Sequence, residues 1–285
     1  MNIEQLLLRQ MPFYYLTDYD FIENLSNDSQ RARDKMYENS NFYNSLLAVT
    51  KSELLQKLNF NYRTVDDFNN MLSSSVKNVE ISVFNLNIRS LNKNHVNLFT
   101  FLQLLNIQFD VNVLSEIWNY NLDFYHTLFK DYTFYYDTPP VSKVGGVGVF
   151  VNKVWNCNVV NNEYKLALHD EVAVENVWLE ITKSVGKRKS KYTVAGIYRH
   201  PNSNINLFTD LLENTLCKIR QTSMACVIAG DINIDFSKYS DHVCTTDYVD
   251  TLLASNVYRL LSCLHGLLLH PHQSLVICIT LKERM

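Results

Sequence analysis

An α/β fold, two β-sheets packed face to face with helices outside, is what the sequence predicts from Val79 onward. Three observations predict it. The pattern switches repeatedly between period-two alternation, as in Ile81-Ser82-Val83-Phe84-Asn85-Leu86-Asn87, and helical spacing, as in Lys93 to Leu105. A hairpin is signalled by Val174 to Thr182 and Tyr192 to Tyr198, which flank the polar, basic stretch Ser184 to Ser190. Two short apolar runs, Val111 to Leu114 and Ala225 to Ala229, end abruptly in polar residues, as buried strands that deliver side chains to a mouth should.

Each element follows in order. The chain has 285 residues, 47% of them hydrophobic and 12% aromatic, enough to bury one sizeable core. Residues 1–78 read as a partly ordered N-terminal helical segment, in which polar stretches such as Ser26 to Gln30 separate short helical patches. Two patches carry helix signals: Ser52 to Leu58, and Thr64 capping Val65 to Leu72; Ser73-Ser74-Ser75 is the natural linker. Residues 79–285 form the second unit. After its first strand, Val96, Phe99, Leu102 and Leu105 make a helical stripe, and the strand Val111 to Leu114 follows. Gly145 to Val151 suits a strand whose backbone packs closely. Its Gly-Gly-X-Gly is no phosphate loop, because the Gly-Lys-Ser/Thr ending and the following helix are missing. Beyond the hairpin come an amphipathic helix, Ile205 to Ile219, the strand before Gly230, a shorter helix, Asp247 to Leu253, and a last strand, Ser274 to Thr280.

Bulk properties exclude some classes. With 26 Lys and Arg against 29 Asp and Glu, the formal charge of -3 gives no global basic field, so nucleic acid must be met by a local patch. The cysteines, Cys157, Cys217, Cys226, Cys244, Cys263 and Cys278, are scattered, without the paired spacing of a zinc site or the density of a disulfide framework. No basic leader precedes an apolar core at the N-terminus and no apolar run is long enough to span a bilayer. The expected location is nuclear or cytoplasmic, with no membrane partner.

Four stretches carry chemistry: Asn85 to Leu91, Leu114 to Trp118, Gly196 to Pro201, and Gly230-Asp231-Ile232-Asn233-Ile234-Asp235. Hydrolysis of a phosphodiester needs a hard cation on oxygen ligands, an in-line water and stabilisation of the transferring phosphoryl group. Carboxylates and amides at strand ends supply these. Asp231 and Asn233 are two apart, so an extended segment projects both from one face. Singly, each residue has a plainer role: Glu116 as a solvated strand-end acid, Asn87 and Asp235 as turn residues, and Tyr198 as a core tyrosine with its hydroxyl at the surface.

In this order the four stretches resemble the metal and phosphate site of the endonuclease/exonuclease/phosphatase superfamily, and most of all the endonuclease domain of non-LTR, LINE-type, jockey-like retrotransposons. The resemblance runs from about Val79 to Thr280 and includes Gly145-Gly146-Val147-Gly148 and Thr246-Asp247-Tyr248. It implies Glu116 and Asn87 at a Mg²⁺ (or Mn²⁺) ion, Asp231 acting on the attacking water, and Asn233 and Tyr198 on the phosphate. It implies a DNA partner; among the basic residues, Arg199 within the site and Lys187, Arg188 and Lys189 at the hairpin tip beside it are the candidate phosphate contacts, the plainer reading of the tip being a solvated turn. A reverse transcriptase module, expected in the intact family, is absent here. The family's late Asp-bearing strand reads Ser274-Leu275-Val276-Ile277 in this chain, so Ile277 stands at the aspartate position. The histidine this aspartate would orient has no counterpart before Met285, since His265, His270 and His272 precede that strand. The last strands are therefore expected to be degenerate or missing, and activity impaired. Alternatives are a non-catalytic relic with weak DNA binding and a metal-dependent phosphoesterase acting on small-molecule or lipid phosphates.

Overall fold

The computed structural model describes Asn69 and residues 79–105, 107–118, 121–166, 173–185, 188–222, 224–235, 242–254, 260–262 and 275–281. The helical patches expected at Ser52 to Leu58 and Thr64 to Leu72 lie, Asn69 apart, outside the described residues, as do His265, His270 and His272.

Among the described residues, ten strands form two mixed sheets. The first contains β1 (Val79–Asn87), β2 (Val111–Ser115), β3 (Tyr132–Asp137), β4 (Val147–Asn152) and β10 (Leu275–Leu281), in the order β10-β1-β2-β4-β3. The second contains β5 (Asn156–Val159), β6 (Val174–Val185), β7 (Arg188–Arg199), β8 (Ala225–Asp231) and β9 (Leu260–Ser262), in the order β5-β6-β7-β8-β9. One parallel pair, β1 with β2, sits in the first sheet, and two, β7 with β8 and β8 with β9, in the second. Helices α1 (Leu91–Leu104), α2 (Leu122–Leu128), α3 (Asn161–Tyr164), α4 (Ile205–Gln221) and α5 (Val243–Ala254) complete the described elements. Ser90, Asn121 and Asn204 cap α1, α2 and α4 by accepting a backbone N–H two or three residues into the helix.

Strand alternation divides the side chains into three cores. Ile81, Val83, Val111, Val113, Val149, Val177, Leu179, Val194 and Val227 pack between the sheets. Phe84, Leu114, Phe134 and Phe150 face outward onto Leu98 and Phe101 of α1 and Tyr125 of α2. Trp178, Ile197 and Ile228 of the second sheet meet Phe208, Leu212 and Leu216 of α4 and Tyr248 of α5. The result is the expected two-sheet sandwich between helical layers.

Two boundaries differ most from expectation. The hairpin is longer: β6 and β7 continue until Val185 pairs with Arg188, so residues read as a polar loop belong to the ladder. The lysines flanking that stretch are charge-paired, with Lys191 3.0 Å from Glu180 and Lys183 3.8 Å from Asp110. Helix α5 starts at Val243 rather than Asp247, and its first turn includes Thr245 and Thr246, whose N–H groups donate to the carbonyl of His242. The last strand does form: β10 pairs antiparallel with β1, with Ile277 opposite Phe84.

Candidate phosphoesterase site

The inner faces of the two sheets are apolar along most of their length and turn polar at one end. On β1 the inward series Ile81, Val83 continues as Asn85, Asn87; on β2, Val111 and Val113 are followed by Ser115; on β8, Val227 and Ala229 by Asp231; on β7, Val194 is followed by Gly196 and Tyr198. Glu175 occupies the corresponding place on β6, directly opposite Tyr198 in the ladder, while Tyr198 lies opposite Asp231. A cluster of polar groups between two sheets costs free energy unless each finds a partner. Here Asn87, Glu116, Asp231 and Tyr198 partner one another.

Asn87 is the hinge of the cluster. Its Nδ2 donates to Glu116 Oε1 at 2.9 Å and to Asp231 Oδ2 at 2.7 Å, so one amide bridges two carboxylates that would otherwise repel. Asp231 is only 1% exposed, and its Oδ1 also accepts the Asn233 backbone N–H at 3.1 Å. The Tyr198 hydroxyl makes a long contact, 3.5 Å, to Glu116 Oε1. Burial raises the pKa of this phenol, and the nearby charges of Glu116, Asp231 and Glu175 push it further in the same direction, so it remains a protonated donor. Below these groups, Asn85 Nδ2 donates to the Gly230 carbonyl at 3.3 Å, tying the two sheets together.

Backbone strain is concentrated at the same end. Every positive-φ non-glycine residue among those described lies in a loop leaving β1, β2 or β8: Arg89 (46°), Ser90 (81°), Glu116 (54°), Trp118 (60°) and Asn233 (50°). Such conformations cost about 1–3 kcal/mol each and gather where geometry serves function. The strained loops are locked together by backbone bonds from Ser90 N to Glu116 O (2.7 Å), Leu91 N to Ile117 O (3.0 Å) and Trp118 N to Gly145 O (3.0 Å).

The left-handed Asn233 corrects the expectation of an extended Asp231-Ile232-Asn233 segment. Strand β8 ends at Asp231, and the chain turns so that Asn233 Nδ2 donates to the Arg199 carbonyl at 2.7 Å. An amide nitrogen carries two N–H groups, so one remains for a ligand. Arg199 is also corrected. It is 0% exposed, and its guanidinium donates to the carbonyls of Ile232 (2.7 Å), Asn233 (2.6 Å) and Ser203 (2.6 Å) and to Ser203 Oγ (3.0 Å). Burial lowers its pKa to about 10, still high enough to keep the cation at neutral pH. Instead of reaching for phosphate, Arg199 straps the 231–234 turn to the end of β7. Arg199→Lys is expected to lower the unfolding free energy by about 2–3 kcal/mol in urea titrations, because one ammonium cannot satisfy four diverging acceptors.

The hairpin tip does not border the site either. Lys189 lies nine residues before Tyr198 on the same strand, about 30 Å away at roughly 3.3 Å per residue. Lys187 lies outside the described residues, and of Arg188 only the backbone is described, at the start of β7. Strand direction explains the error: charge in a sequence does not reveal which end of a ladder it occupies.

Sequence reasoning missed Glu175 and His200. His200 follows Tyr198 by two residues, and its Nε2 lies 3.0 Å from Glu175 Oε2 and 3.1 Å from Oε1. Glu175 Oε2 also accepts the Gly146 N–H at 3.1 Å. The only local signal was a carboxylate interrupting an apolar strand, Val174-Glu175-Asn176-Val177.

The donor set fits a hard cation. Glu116 and Asp231 present carboxylate oxygens, and Ser115 Oγ at the same end of the sandwich is buried with no hydrogen-bond partner. Among the described residues no three His, Cys, Asp or Glu side chains form an all-protein metal cage. A Mg²⁺-type ion needs none, since one or two carboxylates suffice when water and substrate phosphate fill the remaining positions.

No protein-family model and no curated protein sequence matches this chain. Solved structures similar to it include D. rerio TDP2 complexed with a single-strand DNA product (15% identity, TM-score 0.40, covering 56% of this chain and 64% of that one). Others are the catalytic domain of Xenopus laevis APE2 (15%, 0.43, covering 60% and 67%) and an endonuclease/exonuclease/phosphatase family protein of Bacteroides thetaiotaomicron (11%, 0.40, covering 60% and 66%). This chain thus spans about two thirds of the length of those proteins. No described helix is long and apolar enough to cross a membrane.

Proposed function

We propose that this chain is a metal-dependent phosphoesterase acting on the phosphodiester backbone of DNA, descended from a LINE-type retrotransposon endonuclease and working slowly. The observation that carries the reading is the Asn87 amide joining Glu116 and Asp231 at 2.9 and 2.7 Å beside the Tyr198 hydroxyl. This arrangement brings residues from four strands or strand ends to one point, in the order that the LINE-type motifs imply.

The chain's own groups divide the work. Asp231, fixed by two donors, takes a proton from the attacking water. The Tyr198 hydroxyl and the second N–H of the Asn233 amide donate to phosphoryl oxygens, stabilising charge as it develops. Glu116, with Asn87 beside it, would hold the ion. A bound Mg²⁺ or Mn²⁺ supplies Lewis-acid polarisation and charge neutralisation at the phosphate. Slow turnover is expected because Ile277 occupies the place of the histidine-orienting aspartate.

Nicking of supercoiled plasmid tests the activity: conversion to open circle with Mg²⁺ and none with EDTA is expected, and hydrolysis indifferent to EDTA would refute metal dependence. A thermal-shift series tests the ion directly. Mg²⁺ at a hundredfold excess over its Kd should stabilise the wild type by about 2.7 kcal/mol, and Glu116→Gln should lose most of that gain. An equal shift in both proteins would remove Glu116 from the ion's ligands.

A further inference from the structure

The buried carboxylate of Glu175 and the half-buried imidazole of His200 have no task in the scheme above, and they lie at its edge. Glu175 is on the inward face of the second sheet, and His200 directly follows β7, its N–H donating to the Ala173 carbonyl at 3.0 Å. Glu175 is opposite Tyr198 in the ladder, and His200 follows Tyr198 by two residues. The Tyr198 and His200 rings are 4.9 Å apart, centroid to centroid, nearly edge to face. Glu175 is 2% exposed and held by the Gly146 N–H at 3.1 Å. Its carboxylate charge adds to those of Glu116 and Asp231 in raising the Tyr198 pKa, which places all three acids in one electrostatic neighbourhood.

Orientation gives the pair its chemistry. His200 directs Nε2 at Glu175, leaving Nδ1 without a hydrogen-bond partner among the described residues. The His200 side chain remains 27% exposed, against 3% for Glu175, so the imidazole can exchange protons with solvent while its orienting acid cannot move away. The glycine turn maintains this geometry. A Cβ on Gly145 would meet His200 Cε1 at 3.0 Å, Nε2 at 3.1 Å and Glu175 Oε2 at 3.3 Å. A carboxylate-oriented imidazole with one free nitrogen is the arrangement from which histidine acts as an acid or base.

We propose that His200, oriented by Glu175, is the general acid that protonates the leaving oxygen in this site, a role that rests on the phosphoesterase reading above. Water adds to phosphorus as its proton passes to Asp231, the bond between phosphorus and the leaving oxygen breaks, and that oxygen receives the proton from Nδ1 of the His200 imidazolium. Glu175 keeps the imidazole directed while its charge changes. Asp231 then releases its proton to solvent and His200 takes one up, restoring both groups. The pair thereby supplies what the Ile277 position lacks, using residues on β6 and β7. The groups facing His200 are Glu175 from β6 and Tyr198 from its own strand, with Glu116 and Asp231 beyond Tyr198.

Two substrates separate proton donation from a structural role. An alkoxide leaving from DNA needs a proton, whereas the p-nitrophenolate leaving from bis(p-nitrophenyl) phosphate departs without one. His200→Gln is expected to slow plasmid nicking about a hundredfold to ten-thousandfold. It should change p-nitrophenyl ester hydrolysis by no more than a few-fold and abolish the alkaline limb of the nicking rate. Glu175→Gln should reproduce the same selective loss in milder form. Equal loss on both substrates, or no loss on either, would overturn the proposal and leave the pair as a latch for the Gly145-Gly146 turn. If the wild type hydrolyses neither substrate with Mg²⁺ or Mn²⁺, the phosphoesterase reading fails and this inference with it. That outcome differs from a failure confined to the pair, in which the wild type is active and the variants match it.

Discussion

Asp231→Asn is expected to reduce single-turnover cleavage of DNA by about a hundredfold to ten-thousandfold, the usual contribution of a positioned general base. Both carboxylate oxygens of Asp231 accept a hydrogen bond, one from Asn87 Nδ2 at 2.7 Å and the other from the Asn233 backbone N–H at 3.1 Å. These donors fix the direction of the remaining lone pairs. An asparagine keeps the volume but brings its own N–H₂ group against one of the two donors. Leaving a donor unsatisfied costs about 1–3 kcal/mol, so the variant should fold while melting at a lower temperature. Folding and chemistry can then be separated: circular dichroism and a urea midpoint report the first, single-turnover kinetics the second. Cleavage within threefold of wild type by well-folded Asp231→Asn would show that another group accepts the proton. Asp231→Ala is the useful companion, since it removes the clash as well as the base and leaves Asn87 bonded to Glu116 alone.

Much of this site was legible because its parts are strand ends. Asn87, Glu116, Tyr198 and Asp231 each terminate or follow an apolar segment whose periodicity is a local property of the sequence, so both the strand and its last polar residue could be read together. Features that depend on pairing or burial could not. Glu175 gains its meaning from lying opposite Tyr198 on β7, and Arg199 from being enclosed by the 231–234 turn. A sequence shows a positive charge but not the three carbonyls that surround it. The segment containing α2 and β3 was missed for a different reason. In Tyr132-Thr133-Phe134-Tyr135-Tyr136-Asp137 aromatic residues occupy both faces of an edge strand, blurring the alternation that identifies one. Asn233 was misread because two-residue spacing implies a shared face only while the chain stays extended, and β8 ends two residues earlier.

Gly230→Ala is expected to be the most destabilising single methyl addition in the described chain, costing more than about 4–5 kcal/mol, at the extreme of ordinary point substitutions. Gly230 has a φ of 143°, a conformation closed to residues with a Cβ, and the added atom would lie 1.8 Å from the Ile197 carbonyl oxygen and 2.7 Å from its carbon. Those are backbone atoms of β7, paired with β6 on one side and β8 on the other, so they cannot move aside without opening the sheet. Gly148→Ala provides the control. Its Cβ would meet Phe134 Cε2 at 2.6 Å, but that is the far edge of a side chain that can shift, and overpacking of this kind typically costs about 1–3 kcal/mol. Domains retain only about 5–15 kcal/mol of net stability, so Gly230→Ala should yield little soluble protein, or a urea midpoint far below that of Gly148→Ala. Similar midpoints for the two variants would mean that β7 and β8 do not approach closely at Gly230. That close approach sets Asp231 beside Tyr198 in the register, and the Gly230 carbonyl accepts Asn85 from the opposite sheet. A loosened Gly230 would therefore misplace the base and the phosphate donor together, and no substitution at Asp231 itself could restore the geometry.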